Sequence, residues 1–122
     1  MKKLLFILML LLNALSFSAL KNGIYSVEKK YAGNWSSFVK LTIKDGKIIG
    51  AQYDRRNQNG ELFSMSQSSF RDISLEISRN LVNTQNVNSI TGKDAKALLE
   101  FKELTNFLIN KANNGEVGEF KM

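Results

Sequence analysis

The chain of 122 residues contains no cysteine, no histidine and no proline. The lack of cysteine excludes disulfides, thiol catalysis and Cys-ligated iron–sulfur or zinc centres. The lack of histidine excludes a Ser-His-Asp triad, a zincin motif and His-ligated haem, and leaves acid–base work near neutral pH to carboxylates or lysines with shifted pKa values. What remains is one small domain that either binds something or takes its chemistry from a cofactor, with no metal site expected.

The N-terminus has the pattern of a secretory signal. Two lysines precede the apolar run Leu4–Leu12, and small residues follow at Ser16 and Ser18. Serines at −3 and −1 suit a signal peptidase, so we predict a signal peptide over residues 1–18. The alternative is a membrane anchor, but the apolar stretch is shorter than the ~20 residues that span a bilayer core.

The rest of the chain is expected to be secreted or periplasmic. No cysteine follows the cleavage position, so the chain is not a lipoprotein, and no stable transmembrane span is expected after cleavage. Cleavage leaves 104 residues with a formal charge of +4. Because the lysines are spread along the chain without an Arg-rich stripe, nucleic acid is not an expected partner.

Three strands are predicted from alternating apolar residues, over Gly23–Tyr31, Phe38–Lys44 and Lys47–Asp54. Asp45-Gly46 marks a hairpin between the last two. A three-residue loop with Gly46 as a bulge would place Leu41 opposite Ile49, Val39 opposite Ala51 and Tyr53 opposite Ser37. This register keeps the apolar residues on one face, so we predict it in preference to a two-residue loop.

Two helices are predicted from residues spaced three and four apart. The first spans Ser66–Val82, with a possible capping box between Ser64 and Gln67. The second spans Asp94–Asn113 and ends at Asn114-Gly115. The expected inner stripes are Phe70, Ile73, Ile77 and Leu81 in the first helix, and Ala97, Phe101, Leu104, Leu108 and Ala112 in the second.

These elements predict an α+β fold, a small antiparallel sheet of three to five strands packed on one face by two helices. The order is β-β-β-α-(β)-α, with an optional short strand around Val87–Ile90. The domain is expected to cover residues 19–113, and residues 114–122 are expected to form a frayed tail.

The segment Thr91-Gly92-Lys93-Asp94 directly precedes the second predicted helix. A Thr-Gly turn at a helix start presents free backbone N–H groups and the positive end of the helix dipole, which suits an anion such as phosphate. Lys93 adds positive charge. The alternative is a cap only, because Asp94 is equally a good residue for a helix N-terminus.

Four short motifs follow one another along the chain. Gly33-Asn34-Trp35 opens a strand, Lys44–Ile48 forms a Lys-Asp-Gly-Lys-Ile hairpin, Asn59-Gly60 follows, and Val87–Gly92 reads Val-Asn-Ser-Ile-Thr-Gly. Over most of residues 22–112 this layout resembles the FMN-binding domain family, including its small exported, membrane-immunogen-type members.

The resemblance implies an FMN held against the sheet, with its phosphate near a Ser/Thr-Gly-Ala-Thr turn. In many relatives the last Thr of that turn is esterified to the flavin phosphate. Here Thr91 and Gly92 match, whereas Lys93 replaces Ala and Asp94 replaces the acceptor Thr. We therefore expect noncovalent FMN, because Asp94 has no hydroxyl and its carboxylate repels a phosphate by ~1 kcal/mol when both are exposed.

Aromatic residues could stack on the flavin ring, and we single out Trp35 and Tyr53. Trp35, at a strand start beside small residues, is the better candidate, whereas Phe38 is read as an ordinary sheet residue. Asp54-Arg55-Arg56 is read as a solvated strand end, with the alternative that an arginine meets phosphate or ribityl oxygens.

The expected function is that of an exported FMN-binding protein and electron carrier, with a redox protein as a possible partner. Redox chemistry would belong to the flavin, and no catalytic side chains are expected. The alternative is a flavin-free relative that acts as a binding protein in the cell envelope. An open groove between Trp35 and the turn before the helix would favour flavin, and a groove filled by Lys93 or Phe70 would favour the alternative.

Overall fold

The computed structural model describes residues 20–122, so the signal peptide predicted over residues 1–18 lies outside the described residues. Three long strands come first, β1 (Gly23–Ala32), β2 (Trp35–Lys44) and β3 (Lys47–Arg56). The remaining elements, in chain order, are α1 (Phe63–Ser66), α2 (Ser68–Thr84), a 3-10 turn (Val87–Ser89), α3 (Ala95–Asn113) and β4 (Gly118–Lys121).

The four strands form one sheet in the order β3-β2-β1-β4. The β1–β2 and β2–β3 pairs are antiparallel, and β4 is parallel to β1, so the sheet is mixed and not wholly antiparallel as predicted. Helices α2 and α3 cover one face. This confirms the predicted α+β class with a small sheet packed on one side by two helices.

The buried face follows from alternation in the strands and from the helical stripes. Tyr25, Val39 and Leu41 are fully buried on the sheet, and Ile77 and Leu104 are fully buried on the helices. Each predicted inner-stripe residue is buried except Ile73, which packs against the core while partly exposed. None of the helices within residues 20–122 is long and apolar enough to cross a membrane.

The predicted hairpin register between β2 and β3 is wrong. The strands join through a two-residue turn in which Asp45 and Gly46 both have positive φ, 54° and 75°, as in a type I′ turn. Ile43 pairs with Ile48 and Thr42 with Gly50, so Ile49 is an extra residue in β3. That bulge, and not the turn, restores the apolar face.

Beyond the bulge, Leu41 lies opposite Ala51, and Val39 lies opposite Tyr53. Ser37 lies opposite Arg55, not opposite Tyr53 as predicted. Ala51 and Tyr53 therefore lie on the predicted face, with β3 displaced by two residues along β2. Ile49, predicted to face inward opposite Leu41, is 54% exposed, and Ile48 is buried instead.

Three further predictions are corrected. The optional strand around Val87–Ile90 is a 3-10 turn. The Ser64–Gln67 capping box does not form, because the α2 cap residue Gln67 makes no side-chain cap hydrogen bond and Ser64 bonds to Asp54 instead. The tail predicted to fray over 114–122 contains β4, which pairs with β1.

A side-chain amide covers the β3 edge near the bulge. Gln85 Nε2 donates to the Ile48 carbonyl at 2.7 Å, and Gln85 Oε1 accepts from the Ile48 N–H at 2.9 Å. The amide thus occupies both outward main-chain groups of Ile48, as a neighbouring strand would.

Replacing Gln85 by alanine is expected to lower the free energy of unfolding by about 1–2 kcal/mol, because two main-chain hydrogen bonds are lost. The matched control is Asn83→Ala, an exposed position in the last turn of the same helix. Urea unfolding of both variants measures the difference. Equal losses in the two variants would show that the amide adds no stability to the edge.

Candidate functional site

The turn before α3 is built around the side chain of Asp94. Its Oδ1 accepts the Ala97 N–H at 3.0 Å, and its main-chain oxygen accepts the Leu98 N–H at 3.0 Å, so Asp94 is the helix N-cap. Thr91, Lys93 and Asp94 are exposed. The cap role weighed for Asp94 from the sequence is therefore present, and the turn that carries it faces solvent.

Gly92 holds this turn against α2. A Cβ atom built on Gly92 would lie 3.1 Å from Ile77 Cγ1 and 3.8 Å from Leu98 Cδ1. The lack of a side chain therefore lets the backbone pack directly on the buried Ile77. Gly92 therefore sets how closely the turn approaches α2, while Thr91 and Lys93 on either side of it are exposed to solvent.

The predicted aromatic residues belong to a separate chain of edge-to-face contacts. Trp35 meets Phe63 with 5.2 Å between ring centroids, and Phe63 meets Phe70 at 5.1 Å. Phe70 meets Tyr53 at 5.6 Å, and Tyr53 meets Phe101 at 5.5 Å. The structure thus connects Trp35 to Tyr53 through two phenylalanines.

Tyr53 is a core residue, with 1% of its surface exposed. Its hydroxyl donates to Glu100 Oε1 at 2.6 Å. Burial, and next the neighbouring carboxylate of Glu100, raise the pKa of Tyr53 well above its usual range. A ring with no free face cannot stack on a ligand, so Tyr53 serves the core.

The Arg55 side chain lies mostly out of solvent beneath exposed Tyr31, which corrects its reading as part of a solvated strand end. Its guanidinium carbon lies 3.8 Å from the centre of the Tyr31 ring and 4.6 Å from that of Phe70. Its Nη2 lies 3.7 Å from Glu100 Oε1, and 11% of its side chain is exposed. These contacts make Arg55 part of the aromatic cluster.

Asp54 is also buried, where the sequence suggested a solvated end. Its carboxylate accepts the N–H groups of Arg55, at 2.8 Å, and Ser64, at 3.1 Å, and it accepts the Ser64 hydroxyl. Asp54 therefore anchors the start of α1 to the end of β3. This anchoring places Phe63 between Trp35 and Phe70.

Glu100 is the central residue that the sequence reasoning missed. It is bound by Tyr53, 47 residues away in sequence, and it faces Arg55. The available signal was its position beside Phe101 at the margin of the apolar stripe. A carboxylate at such a margin indicates a buried polar partner, but periodicity does not say which one.

The chemistry open to this arrangement is binding. The turn offers a hydroxyl, an ammonium and the start of a helix, and Trp35 offers a half-buried ring. No group of three or more His, Cys, Asp or Glu side chains within residues 20–122 is placed to hold a metal ion.

The chain is a small α+β protein with sheet order β3-β2-β1-β4 and two covering helices, and two solved structures share this fold. A Clostridium perfringens protein solved by crystallography is similar, with a TM-score of 0.73, 18% identity, and coverage of 84% of this chain and 97% of that one. A Clostridium thermocellum protein solved by NMR has a TM-score of 0.50, 19% identity, and coverage of 79% and 92%. These likenesses show the fold alone. No family model matches the chain, and no curated protein matches it.

Proposed function

We propose that this chain is an exported flavin-binding module that holds FMN noncovalently, with its phosphate at the Thr91–Asp94 turn. The observation that carries the proposal is the exposure of Thr91 and Lys93 at the start of the 19-residue helix α3. The order of motifs that resembles the FMN-binding domain family supports it. Electron transfer would then be the chemistry of the bound flavin, with a redox protein as partner.

The amides of the first turn favour a phosphate. An α-helix leaves its first four N–H groups without intrahelical partners, and here Asp94 takes that of Ala97. The N–H groups of Ala95 and Lys96 have no acceptor among residues 20–122. Together with the Lys93 ammonium they can meet the charge of a phosphate. Trp35 is the candidate for contact with the ring system, because it is the half-buried end of the aromatic chain.

The test is a titration of the full chain, expressed in an exporting bacterial host, with FMN and with riboflavin, followed by flavin fluorescence. FMN is expected to bind at micromolar concentrations, and riboflavin, which lacks the phosphate, at least about tenfold more weakly. Failure to retain any FMN at micromolar concentrations would overturn the proposal. Equal affinity for the two flavins would contradict the placement of the phosphate at the turn.

Replacing Asp94 by asparagine is expected to tighten FMN binding by about fivefold. Asparagine caps a helix as well as aspartate does, so the turn is kept while the repulsion of ~1 kcal/mol is removed. The matched control is Asp45→Asn, which removes the same charge from the β2–β3 hairpin, where Asn-Gly also suits the turn. Unchanged affinity in Asp94→Asn would contradict a phosphate beside this carboxylate.

A second candidate is a flavin-free binding protein of the cell envelope. Two observations favour it: Phe70 fills the space between Phe63 and Tyr53 in edge-to-face contact, and the Asp94 carboxylate occupies one N–H of the α3 turn. If this second function is correct, the Thr91–Asp94 turn serves only as the N-cap of α3, and Trp35 serves only to pack against the aromatic cluster. Absence of FMN binding in both the wild-type chain and Asp94→Asn supports this candidate.

A further inference from the structure

The two edges of the sheet are treated differently. At the β3 edge, Gln85 binds both outward groups of Ile48, Ile49 forms the bulge, and Leu62 bridges to Arg56. Such features protect an edge strand from pairing with another chain. At the other edge, β4 has no strand on its outer side within residues 20–122.

The outward groups of β4 can be assigned from its pairing with β1. Met122 donates its N–H to the Glu28 carbonyl, so the N–H of Met122 points inward. Successive residues of a strand point their main-chain groups in opposite directions. The N–H and C=O groups of Lys121 and Glu119 therefore point away from the sheet.

The side chains of β4 also divide between two faces. Phe120 packs on Phe107 of α3, with 5.9 Å between ring centroids, so it lies on the helix face. Glu119 and Lys121 lie on the open face, where they line a cavity of about 390 Å³ with Ser26 and Glu28. Opposite charges thus alternate with an apolar residue along a free edge.

We propose that two copies of this chain pair through β4 in antiparallel fashion, with the two Phe120 residues opposite each other on a two-fold axis. Glu119 of each copy then lies opposite Lys121 of the other. These are hydrogen-bonded pairs that exchange both N–H···O=C bonds. The opposite charges meet on the open face, and the two sheets become one continuous sheet.

The sequence of β4 selects this register over its neighbours. A shift that sets Glu119 opposite Glu119, or Lys121 opposite Lys121, brings like charges together, which is unfavourable for directly opposed residues. In the proposed register, Met122 of one copy lies opposite Gly118 of the other. Met122 is 48% exposed, and a Cβ atom added to Gly118 would meet no other atom within 4 Å, so the partner's side chain has room.

The test uses the full chain expressed in an exporting host, measured by sedimentation equilibrium over a range of concentrations. The wild-type chain is expected to show a monomer–dimer equilibrium. Glu119→Lys is expected to weaken dimerisation at least tenfold, because it creates two like-charged pairs. The double exchange E119K/K121E restores the opposite charges, and is expected to return the dissociation constant to within about threefold of the wild-type value.

Two further measurements locate the interface. Glu76→Lys makes the same charge change on the exposed surface of α2, and is expected to leave dimerisation unchanged. Amide exchange of Glu119 and Lys121 is expected to slow as protein concentration rises. Lys121 also lies beside Glu28 of β1, so a charge change in β4 could weaken its pairing with β1. Protection of the Met122 amide, which bonds to β1, reports whether β4 stays docked in each variant.

A chain that stays monomeric at every concentration overturns the proposal. So does a dimer that responds equally to Glu119→Lys and Glu76→Lys, or one that the double exchange does not restore while β4 remains docked. The proposal does not depend on FMN, because the β4 edge is formed by residues outside the Thr91–Asp94 turn.

Discussion

Replacing Glu100 by alanine is expected to lower the free energy of unfolding by about 3 kcal/mol. The substitution leaves the guanidinium of Arg55, whose side chain is 11% exposed, without its carboxylate partner. It also removes the acceptor of the Tyr53 hydroxyl, which lies in the core. Both costs arise because a buried polar group that loses its partner keeps its desolvation penalty.

Glu103→Ala is the matched control, since Glu103 lies on the same helix and has its own cationic partner. Its ion pair with Lys29 is 2.6 Å long, but the two side chains are 47% and 42% exposed. An exposed pair contributes about 0.2–1 kcal/mol. Urea unfolding of both variants gives the comparison, and equal losses would show that the Glu100 cluster is no more than a surface ion pair.

Glu100→Gln separates the two contributions of this side chain. The amide keeps an acceptor for Tyr53 but removes the charge that faces Arg55. Glu100→Gln is expected to lower the free energy of unfolding, but by less than Glu100→Ala does. The size of its loss measures what the charge contributes. The cluster bears on the proposed flavin site because Arg55 packs on Phe70, and Phe63 lies between Phe70 and Trp35.

The helices were predictable because burial there follows a single period. Residues at spacings of three and four share one face, and Ala97, Phe101 and Leu104 are all buried as predicted. The N-cap of α3 was also predictable, because Asp94 is a residue type that caps helices at a position directly before an apolar period.

The hairpin register was not predictable from the turn alone. A two-residue turn and a three-residue loop both fit Asp45-Gly46, and in a regular ladder only the loop keeps the apolar residues on one face. The bulge at Ile49 satisfies both requirements, but an extra residue in the strand leaves no local sequence signal. Alternation therefore gave the correct face for Ala51 and Tyr53, the wrong face for Ile49, and the wrong partners across β2.

The strand β4 depends on contacts that are remote in sequence. Gly118–Lys121 is short and polar, and it pairs in parallel with β1 only after α3 has returned the chain to that edge. Its Phe120 ring is held by Phe107 of α3. Local patterns carry none of this information, so the segment resembled a frayed end.

The places of two candidate elements in the fold were predictable. The exposed turn at the start of α3 lies where the motif indicates, and Trp35 lies half-buried at the start of β2. Alternation also placed Tyr53 on the buried face, but the Glu100 carboxylate that binds it comes from a distant helix. Whether a ring is a platform or a core residue depends on such long-range neighbours.

Stability is expected to fall above pH 10, in part through Tyr53. Burial first, and then Glu100, raise the pKa of Tyr53 in the folded chain above its unfolded value. A group whose pKa is raised on folding stabilises the fold below its unfolded pKa, and loses that contribution as pH rises. With an unfolded pKa near 10, the loss from Tyr53 is about 1.4 kcal/mol at pH 11.

Tyr53→Phe isolates this contribution when urea unfolding is measured at pH 7 and at pH 11. At pH 7 the variant is expected to be less stable than wild type by about 1 kcal/mol, because it loses the hydrogen bond to Glu100. At pH 11 that deficit is expected to disappear, because the variant has no Tyr53 hydroxyl to ionise. Tyr25, whose pKa burial also raises, keeps its own share of the pH dependence in both proteins.

Tyr31→Phe is the control, since Tyr31 is 48% exposed and its ring covers Arg55 from outside. This variant keeps the ring and is expected to follow the wild-type pH dependence. A deficit in Tyr53→Phe that is the same at both pH values would contradict a buried, hydrogen-bonded Tyr53. It would place the hydroxyl in solvent, and Tyr53 would again be a candidate for contact with a ligand.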